Sequence, residues 1–270
     1  MQGKTKIWIE AVAPSAGDPT KPDSIPGIRV NQATARPTTE ILLRIRSVIE
    51  SKFREQYQSH LINGIVNKDD AYIVAVNSAK FGHDRWNWMP PSDILSAVYP
   101  FGDLQITFDR TTTKEVDRSY TYRAEVKKAK GSSVSTNLFL QEDFRPLSAV
   151  LYSCVDPIYK GATLGDDYVL VHNIKTQVAV QKGLVGRGKE YSATQDEENL
   201  YLHVHDWQEP SDSDADGSRQ VLRTDSLTQL WTAVQTETHP PRFSRDVDRF
   251  PVRVRSIAEG SHTPQAFVCR

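Results

Sequence analysis

Three polar side chains have the types and the spacing that phosphodiester chemistry requires: Glu10, Lys52 and Gln56. Glu10 closes the apolar run of residues 7–9, at the point where a strand is expected to end. A carboxylate at a strand end can hold Mg²⁺, and the bound metal can activate a water molecule. A neighbouring lysine can stabilise the charge that develops on the phosphate. The pattern therefore predicts a metal-dependent hydrolytic site with Glu10 as the metal ligand.

Lys52 and Gln56 lie on a long helix that the sequence predicts over residues 38–61 (TTEILLRIRSVIESKFREQYQSHL). With 100° per residue counted from Ile41, Lys52 falls at about 20° and Gln56 at about 60°. Both therefore continue the apolar stripe of the helix, and Gln56 is expected to be deeper than its polar neighbours. An unpaired charge on a buried face is costly, so Lys52 needs a partner. Glu10 is the nearest carboxylate in sequence that β-α packing could bring to it.

Two interpretations of this contact remain open. In the first, Glu10 and Lys52 form a buried salt bridge, and Gln56 adds a hydrogen-bonded amide that fixes how the helix packs; such networks occur in cores without any catalytic role. In the second, the same three residues form the hydrolytic site. Both interpretations predict that the side chains of Glu10 and Lys52 converge on one side of a sheet.

The arrangement of strand, glutamate, loop and helix resembles the restriction-endonuclease-like PD-(D/E)xK superfamily. In that family a strand carries Glu-x-Lys, an aspartate lies on the preceding strand, and the next helix often adds a lysine or a glutamine. Here Glu10 matches the glutamate and Val12 stands where the family has its lysine. Lys52 looks like the relocated lysine of some members, and Gln56 like the helix amide. The resemblance covers about residues 5–77 and implies a nuclease-like fold, Mg²⁺ at Glu10 and a nucleic-acid substrate.

The strand with the family's aspartate is not encoded in the nine residues before Glu10. We therefore expect an N-terminally incomplete core with weak metal binding and little cleavage. Glu40 and Asp70 are the nearest substitutes in sequence. A βαβ crossover places both at the end of the strands opposite Glu10.

A second candidate site is the pair His203 and His205 with Asp206, in the segment LYLHVHDW. Alternate residues of a strand share one face, a spacing that metals can use. His172 could be a third ligand, but the sequence does not place it beside the pair. The alternative, which the absence of further ligands nearby favours, is a pair of solvent-facing histidines on an edge strand.

A third candidate is the segment His83 to Trp88, which follows the apolar run of residues 71–77. Ligand-binding loops lie beyond the carboxyl ends of strands in open α/β sheets. Trp86 and Trp88 could stack on bases, or they could close the edge of the core. Cys154, inside the apolar run LSAVLYSC, is expected to be a small buried side chain and not a nucleophile.

The predicted fold class is α/β, a mixed sheet of about five or six strands with the long helix packed across it. Strand, helix and strand over residues 6–77 form a βαβ unit, and further strands are expected at 104–108, 120–126, 147–154 and 167–172. This gives a core domain at residues 1–175 and a polar extension at 176–270. Within the extension we expect a flexible linker near 208–219 and a short helix near 226–236.

The composition limits the function classes. With 33 basic and 34 acidic residues, the chain is not a generally basic nucleic-acid-coating protein, although a local basic cleft is compatible with this balance. Two cysteines form no disulfide framework, which suits the cytoplasm. No apolar run is long enough for a membrane span. We expect a nuclease-related protein that hydrolyses or binds nucleic acid. The alternative is a non-catalytic binding or scaffold protein with the same fold.

Overall fold

The computed structural model describes residues 6–28, 35–82, 93–155, 165–197, 199–207 and 252–255. Within them, nine strands form one mixed sheet in the order β1-β2-β7-β8-β9-β10-β11-β4-β3, and β5 pairs with β6 beside it. The strands are β1 Ile7–Val12, β2 Ala71–Asn77, β3 Phe101–Phe108, β4 Glu115–Tyr122, β5 Glu125–Lys127, β6 Ser133–Ser135, β7 Leu147–Ser153, β8 Val169–His172, β9 Gly188–Gln195, β10 Asn199–Trp207 and β11 Val252–Arg255. The predicted α/β class with a mixed sheet is confirmed.

Strands β1, β2 and β7 are parallel neighbours, and the remaining connections include both parallel and antiparallel pairs. Every residue of β2 from Ala71 to Val76 is buried, as expected for a strand covered on both faces. Tyr72, Val74 and Val76 face the large core on the helix side. The alternate residues face a smaller apolar cluster on the other side of the sheet.

The long helix, α1, starts as an α-helix at Thr38–Ser51, continues through π-helical turns at Lys52–Tyr57 and ends as an α-helix at Gln58–Ile62. A π turn closes one residue later than an α turn, so residues spaced by four stay in line across it. Ile49, Phe53 and Tyr57 consequently form the buried stripe in this half of the helix. A second helix, α2, spans Asp93–Val98 and packs against α1.

One strand prediction needs correction, and the main sheet has nine described strands where about five or six were expected. The strand expected at residues 120–126 is β4 at Glu115–Tyr122, and it forms the anticipated hairpin with β3. The hydrogen bonding of β5 with β6 takes residues 125–127 into the small sheet instead. Beyond residue 175, β9 pairs with β8, and β10 pairs with β9.

None of the helices in the described part of the chain combines the length and the apolar character of a membrane-spanning segment. The linker expected near 208–219 and the helix expected near 226–236 lie outside the described residues.

Candidate functional site at the β1–α1 edge

The predicted contact between Glu10 and Lys52 is confirmed. Lys52 Nζ donates a hydrogen bond of 2.7 Å to Glu10 Oε1. Strand alternation explains the direction of Glu10, because Trp8 and Val12 on the same face of β1 pack into the core under α1. The two side chains are 25 % and 24 % exposed, so the ion pair lies at the margin of the core and not within it.

Glu10 does not close its strand as the sequence suggested. β1 continues to Val12, and Glu10 is in register with Val74 in the middle of β2. The apolar run ends at Ile9 because β1 lies at one end of the sheet order, where one strand margin has no neighbour among the described residues. The carboxylate therefore lies beside the helix and not beyond the carboxyl end of the strand.

Gln56 is exposed, and the expectation that it continues the buried stripe is wrong. The calculation with 100° per residue fails in the π-helical turns, which bring Tyr57 to the sheet side in place of Gln56. No hydrogen bond among the described residues joins Gln56 to Glu10 or Lys52. The structure thus brings together two of the three predicted side chains.

His60 is a member of the cluster that the sequence analysis missed. Its Nε2 lies 3.7 Å from Glu10 Oε2, on the side of the carboxylate away from Lys52. At 100° per residue His60 falls about 80° past Lys52, and the π-helical turns between them return it to the same flank. Glu10 therefore has a lysine at one oxygen and a histidine near the other.

Tyr72 lies beneath this group on β2. Its side chain is 1 % exposed, and its hydroxyl has no hydrogen-bond partner within the described part of the chain. The Tyr57 ring packs against it with 4.8 Å between ring centroids. Burial raises the pKa of Tyr72, and the negative charge of Glu10 and the proximity of Tyr57 raise it further. Because the charge of Glu10 acts on this phenol, the two groups are electrostatic neighbours.

Asp70 belongs to the other end of the strands, as predicted. The indole N–H of Trp8 donates a hydrogen bond of 3.0 Å to the Asp70 carboxylate. The backbone N–H groups of Lys6 and Asn67 donate to the same carboxylate. Burial raises the pKa of Asp70, but these hydrogen bonds more than offset it and leave the pKa below its ordinary value. Asp70 therefore joins the start of β1 to the turn before β2.

A groove of about 200 Å³ opens between the end of β1 and the neighbouring flank of α1. Its walls carry two basic side chains, two hydroxyls and two valines: Arg44, Lys52, Ser47, Ser51, Val12 and Val48. Arg44 donates to the carbonyl oxygen of Ser15, 2.9 Å away, which holds the guanidinium against the loop after β1. Two cations and two hydroxyls along this wall can donate hydrogen bonds to phosphate oxygens.

The donors at Glu10 fit a magnesium ion poorly. Mg²⁺ is usually held by one or two carboxylates with water and phosphate oxygens. Glu10 supplies one carboxylate, and a lysine ammonium is already hydrogen-bonded to Oε1. Among the described residues, no group of three or more histidine, cysteine, aspartate or glutamate side chains is arranged to hold a metal ion. Magnesium at Glu10 stays a prediction.

The histidine candidates form no joint site with this cluster. His203 Nε2 lies 2.8 Å from the Thr194 hydroxyl, and His205 Nε2 lies 3.2 Å from Lys182 Nζ. The edge-strand expectation stays a prediction, because β10 pairs with β9 through both histidines, whereas its pairing with β11 in the described residues covers Asn199 to Leu202. His172 bonds instead to the buried carboxylate of Glu190 on the neighbouring strand.

The tryptophan segment at residues 83–88 lies outside the described residues, as does the side chain of Asp206. Cys154 is half-buried and packs against the large core, which agrees with an apolar role. Comparison of the chain with protein-family models, curated proteins and solved structures found no match. The resemblance to PD-(D/E)xK proteins therefore stays a prediction made from the residues.

Proposed function

We propose that the β1–α1 edge binds the phosphate backbone of a nucleic acid, and that the chain is a PD-(D/E)xK-related protein in which binding outweighs cleavage. The observation that carries the proposal is the Lys52 side chain, which lines an open groove together with Arg44. The partner carboxylate holds Lys52 in place, and the side chain still borders the open groove.

A polymeric anion suits this groove better than a single phosphate. Arg44 and Lys52 are eight residues apart on one helix, which corresponds to about 12 Å along its axis. One strand of a nucleic acid advances about 3.4 Å per phosphate along its own axis in a duplex. Phosphates about three to four nucleotides apart on one strand can therefore reach both cations, with the hydroxyls of Ser47 and Ser51 between them.

With a net charge of −1, the whole chain does not attract nucleic acid, so the attraction is limited to the cations of the groove. A protein without a broad basic surface gains affinity only from the few cations in its groove, so binding should be weak to moderate and strongly dependent on salt. Hydrolysis is the weaker part of the proposal, because Lys52 competes with any metal ion for Glu10. The second candidate, a non-catalytic binding or scaffold protein, gains support from that same occupied carboxylate.

The test is fluorescence anisotropy with labelled single-stranded and double-stranded DNA and RNA at low salt. We expect Lys52→Ala and Arg44→Ala each to weaken binding several-fold. The matched controls are Lys114→Ala and Arg110→Ala, two exposed cations of the β3–β4 hairpin at the opposite end of the sheet. Equal effects of all four substitutions would show that the groove is not the binding site.

Cleavage is measured in parallel with magnesium or manganese. We expect little hydrolysis by the chain, and any hydrolysis present should disappear in Glu10→Ala and in Lys52→Ala. Robust cleavage abolished by both substitutions would show that hydrolysis has been underestimated. Cleavage that survives both would place the hydrolytic site elsewhere.

A further inference from the structure

The buried hydroxyl of Tyr72 is a polar group that the fold leaves without a hydrogen bond. Of the buried side-chain nitrogen and oxygen atoms in the described residues, it and Arg123 Nε have no partner. A buried hydroxyl without a partner destabilises the fold, because no hydrogen bond compensates for the water that it loses. Because the hydroxyl lies beside the Glu10 cluster, a second state of the cluster could give it a hydrogen-bond acceptor.

Glu10 is in a position to be that acceptor. Tyr72 is in register with Trp8 on the neighbouring strand, so Glu10 lies two residues farther along the same face of the sheet. The two Cα atoms are then about 8 Å apart, a diagonal distance that a tyrosine and a glutamate side chain bridge easily. The effect of the Glu10 charge on the Tyr72 phenol supports this proximity.

The Lys52–Glu10 pair is exposed enough to be exchanged for another partner. The present partner of Glu10 is Lys52, and both side chains keep about a quarter of their surface in solvent. Ion pairs with this exposure are weak, because water and salt screen them, whereas a hydrogen bond from a buried hydroxyl to a carboxylate is screened less. A competing anion at Lys52 is therefore enough to favour the hydrogen bond from Tyr72.

We propose that Tyr72 is a positioning residue that takes over Glu10 when a phosphate group draws Lys52 into the groove. In the free protein, Lys52 holds Glu10 and the Tyr72 hydroxyl is unpaired. In the bound protein, Lys52 contacts phosphate, and Tyr72 donates to Glu10 with His60 beside the other oxygen. The anion-bound half of this proposal rests on the proposed function. The exchange of partners at Glu10 does not.

The test uses NMR of the full chain labelled with ¹³C at tyrosine Cζ, whose chemical shift reports hydrogen bonding of the phenol. The Tyr72 resonance is assigned by its loss in Tyr72→Phe. Lys52→Met frees Glu10 without any ligand, so it should shift the Tyr72 resonance in the free protein. Arg44→Ala removes the other groove cation and should leave that resonance unchanged.

The second arm adds a saturating single-stranded DNA oligonucleotide. We expect the Tyr72 resonance to shift in the wild type and to stay in place in Glu10→Ala. Tyr72→Phe should fold normally, since it removes an unpaired hydroxyl, and should bind the oligonucleotide about tenfold more weakly.

The outcomes separate the two proposals. A shift in Lys52→Met without oligonucleotide binding by the wild type supports the role of Tyr72 and overturns the proposed function. No shift in Lys52→Met, or an unchanged Tyr72 resonance in an oligonucleotide-saturated wild type, overturns the role of Tyr72.

Discussion

The contribution of the Glu10–Lys52 pair to stability decides between a structural and a functional reason for its presence. Glu10→Gln, Lys52→Met and the double variant form a double-mutant cycle that isolates the interaction energy of the pair. Unfolding in urea, followed by tryptophan fluorescence, gives the free energy of unfolding for each variant.

The geometry sets the expected magnitude. The Nζ–Oε1 distance of 2.7 Å is short, but the side chains are 25 % and 24 % exposed. Exposed pairs couple by about 0.2–1 kcal/mol, whereas breaking a buried pair costs about 3–5 kcal/mol. We expect a coupling of about 1 kcal/mol. It should shrink at high ionic strength, because the Debye length falls from about 30 Å at 0.01 M to about 3 Å at 1 M salt.

The control cycle uses Lys175 and Glu142, which are also 2.7 Å apart but are 36 % and 65 % exposed. Their coupling should be smaller than that of Glu10 and Lys52. A coupling above about 3 kcal/mol for Glu10 and Lys52, unchanged by salt, would identify a buried structural pair. It would refute the argument that a phosphate group can draw Lys52 away.

Three further substitutions test other parts of the fold. Asp70 has a pKa below its ordinary value of 3.8, so it stabilises the protein above that pH, and this contribution is lost as the pH falls through the lowered pKa. Asp70→Asn should therefore destabilise the protein at pH 7 and converge with the wild type in acid; a constant difference in thermal midpoint across this range would contradict the assignment. Tyr99→Phe removes a hydroxyl that makes two backbone hydrogen bonds and should cost about 1–3 kcal/mol in urea unfolding, whereas Tyr72→Phe should cost nothing. Gly188 has φ +70°, and a Cβ there would lie 2.2 Å from the Tyr168 carbonyl oxygen. Gly188→Ala should cost more than about 1 kcal/mol, and a variant as stable as the wild type would show that the turn into β9 can relax.

The βαβ unit could be predicted because its signals are local. The apolar run of β2 and the helical period of α1 require no knowledge of the remaining chain. The contact between Glu10 and Lys52 followed from the same pattern, since a lysine near an apolar stripe has few carboxylates within reach. Its position in the interior of β1 could not be predicted, because the edge of a sheet is defined by neighbours that are distant in sequence.

The prediction wrongly included Gln56 in the cluster and missed His60 for a different reason. Hydropathy gives the helical phase only while the rotation per residue is constant, and the π-helical turns at Lys52–Tyr57 change it. The burial of Arg46, which is 4 % exposed, could not be predicted from the sequence either. Its backbone acceptor, the carbonyl oxygen of Ser135, lies 89 residues away in sequence. Strand β9 escaped prediction because the polar, glycine-containing sequence around it resembles a flexible segment.

The pairing of β11 with β10 and β4 could not be read from the sequence either. A four-residue strand carries little local signal, and its partners are about 50 and 130 residues away. The same limit applies to the order of the sheet, in which β3 and β4 follow β11. Local pattern therefore predicts elements and the nearest contacts, whereas long-range pairing decides which element borders the site.

The most direct test of the central claim is the salt dependence of nucleic-acid binding. Each phosphate contact contributes about −0.9 to the slope of log Kobs against log salt concentration for a duplex, and about −0.7 for a single strand. We expect Lys52→Ala and Arg44→Ala each to reduce the magnitude of the slope by nearly one, while Lys114→Ala leaves it unchanged. A slope that is the same in the wild type and in both groove variants would contradict phosphate binding at the β1–α1 edge.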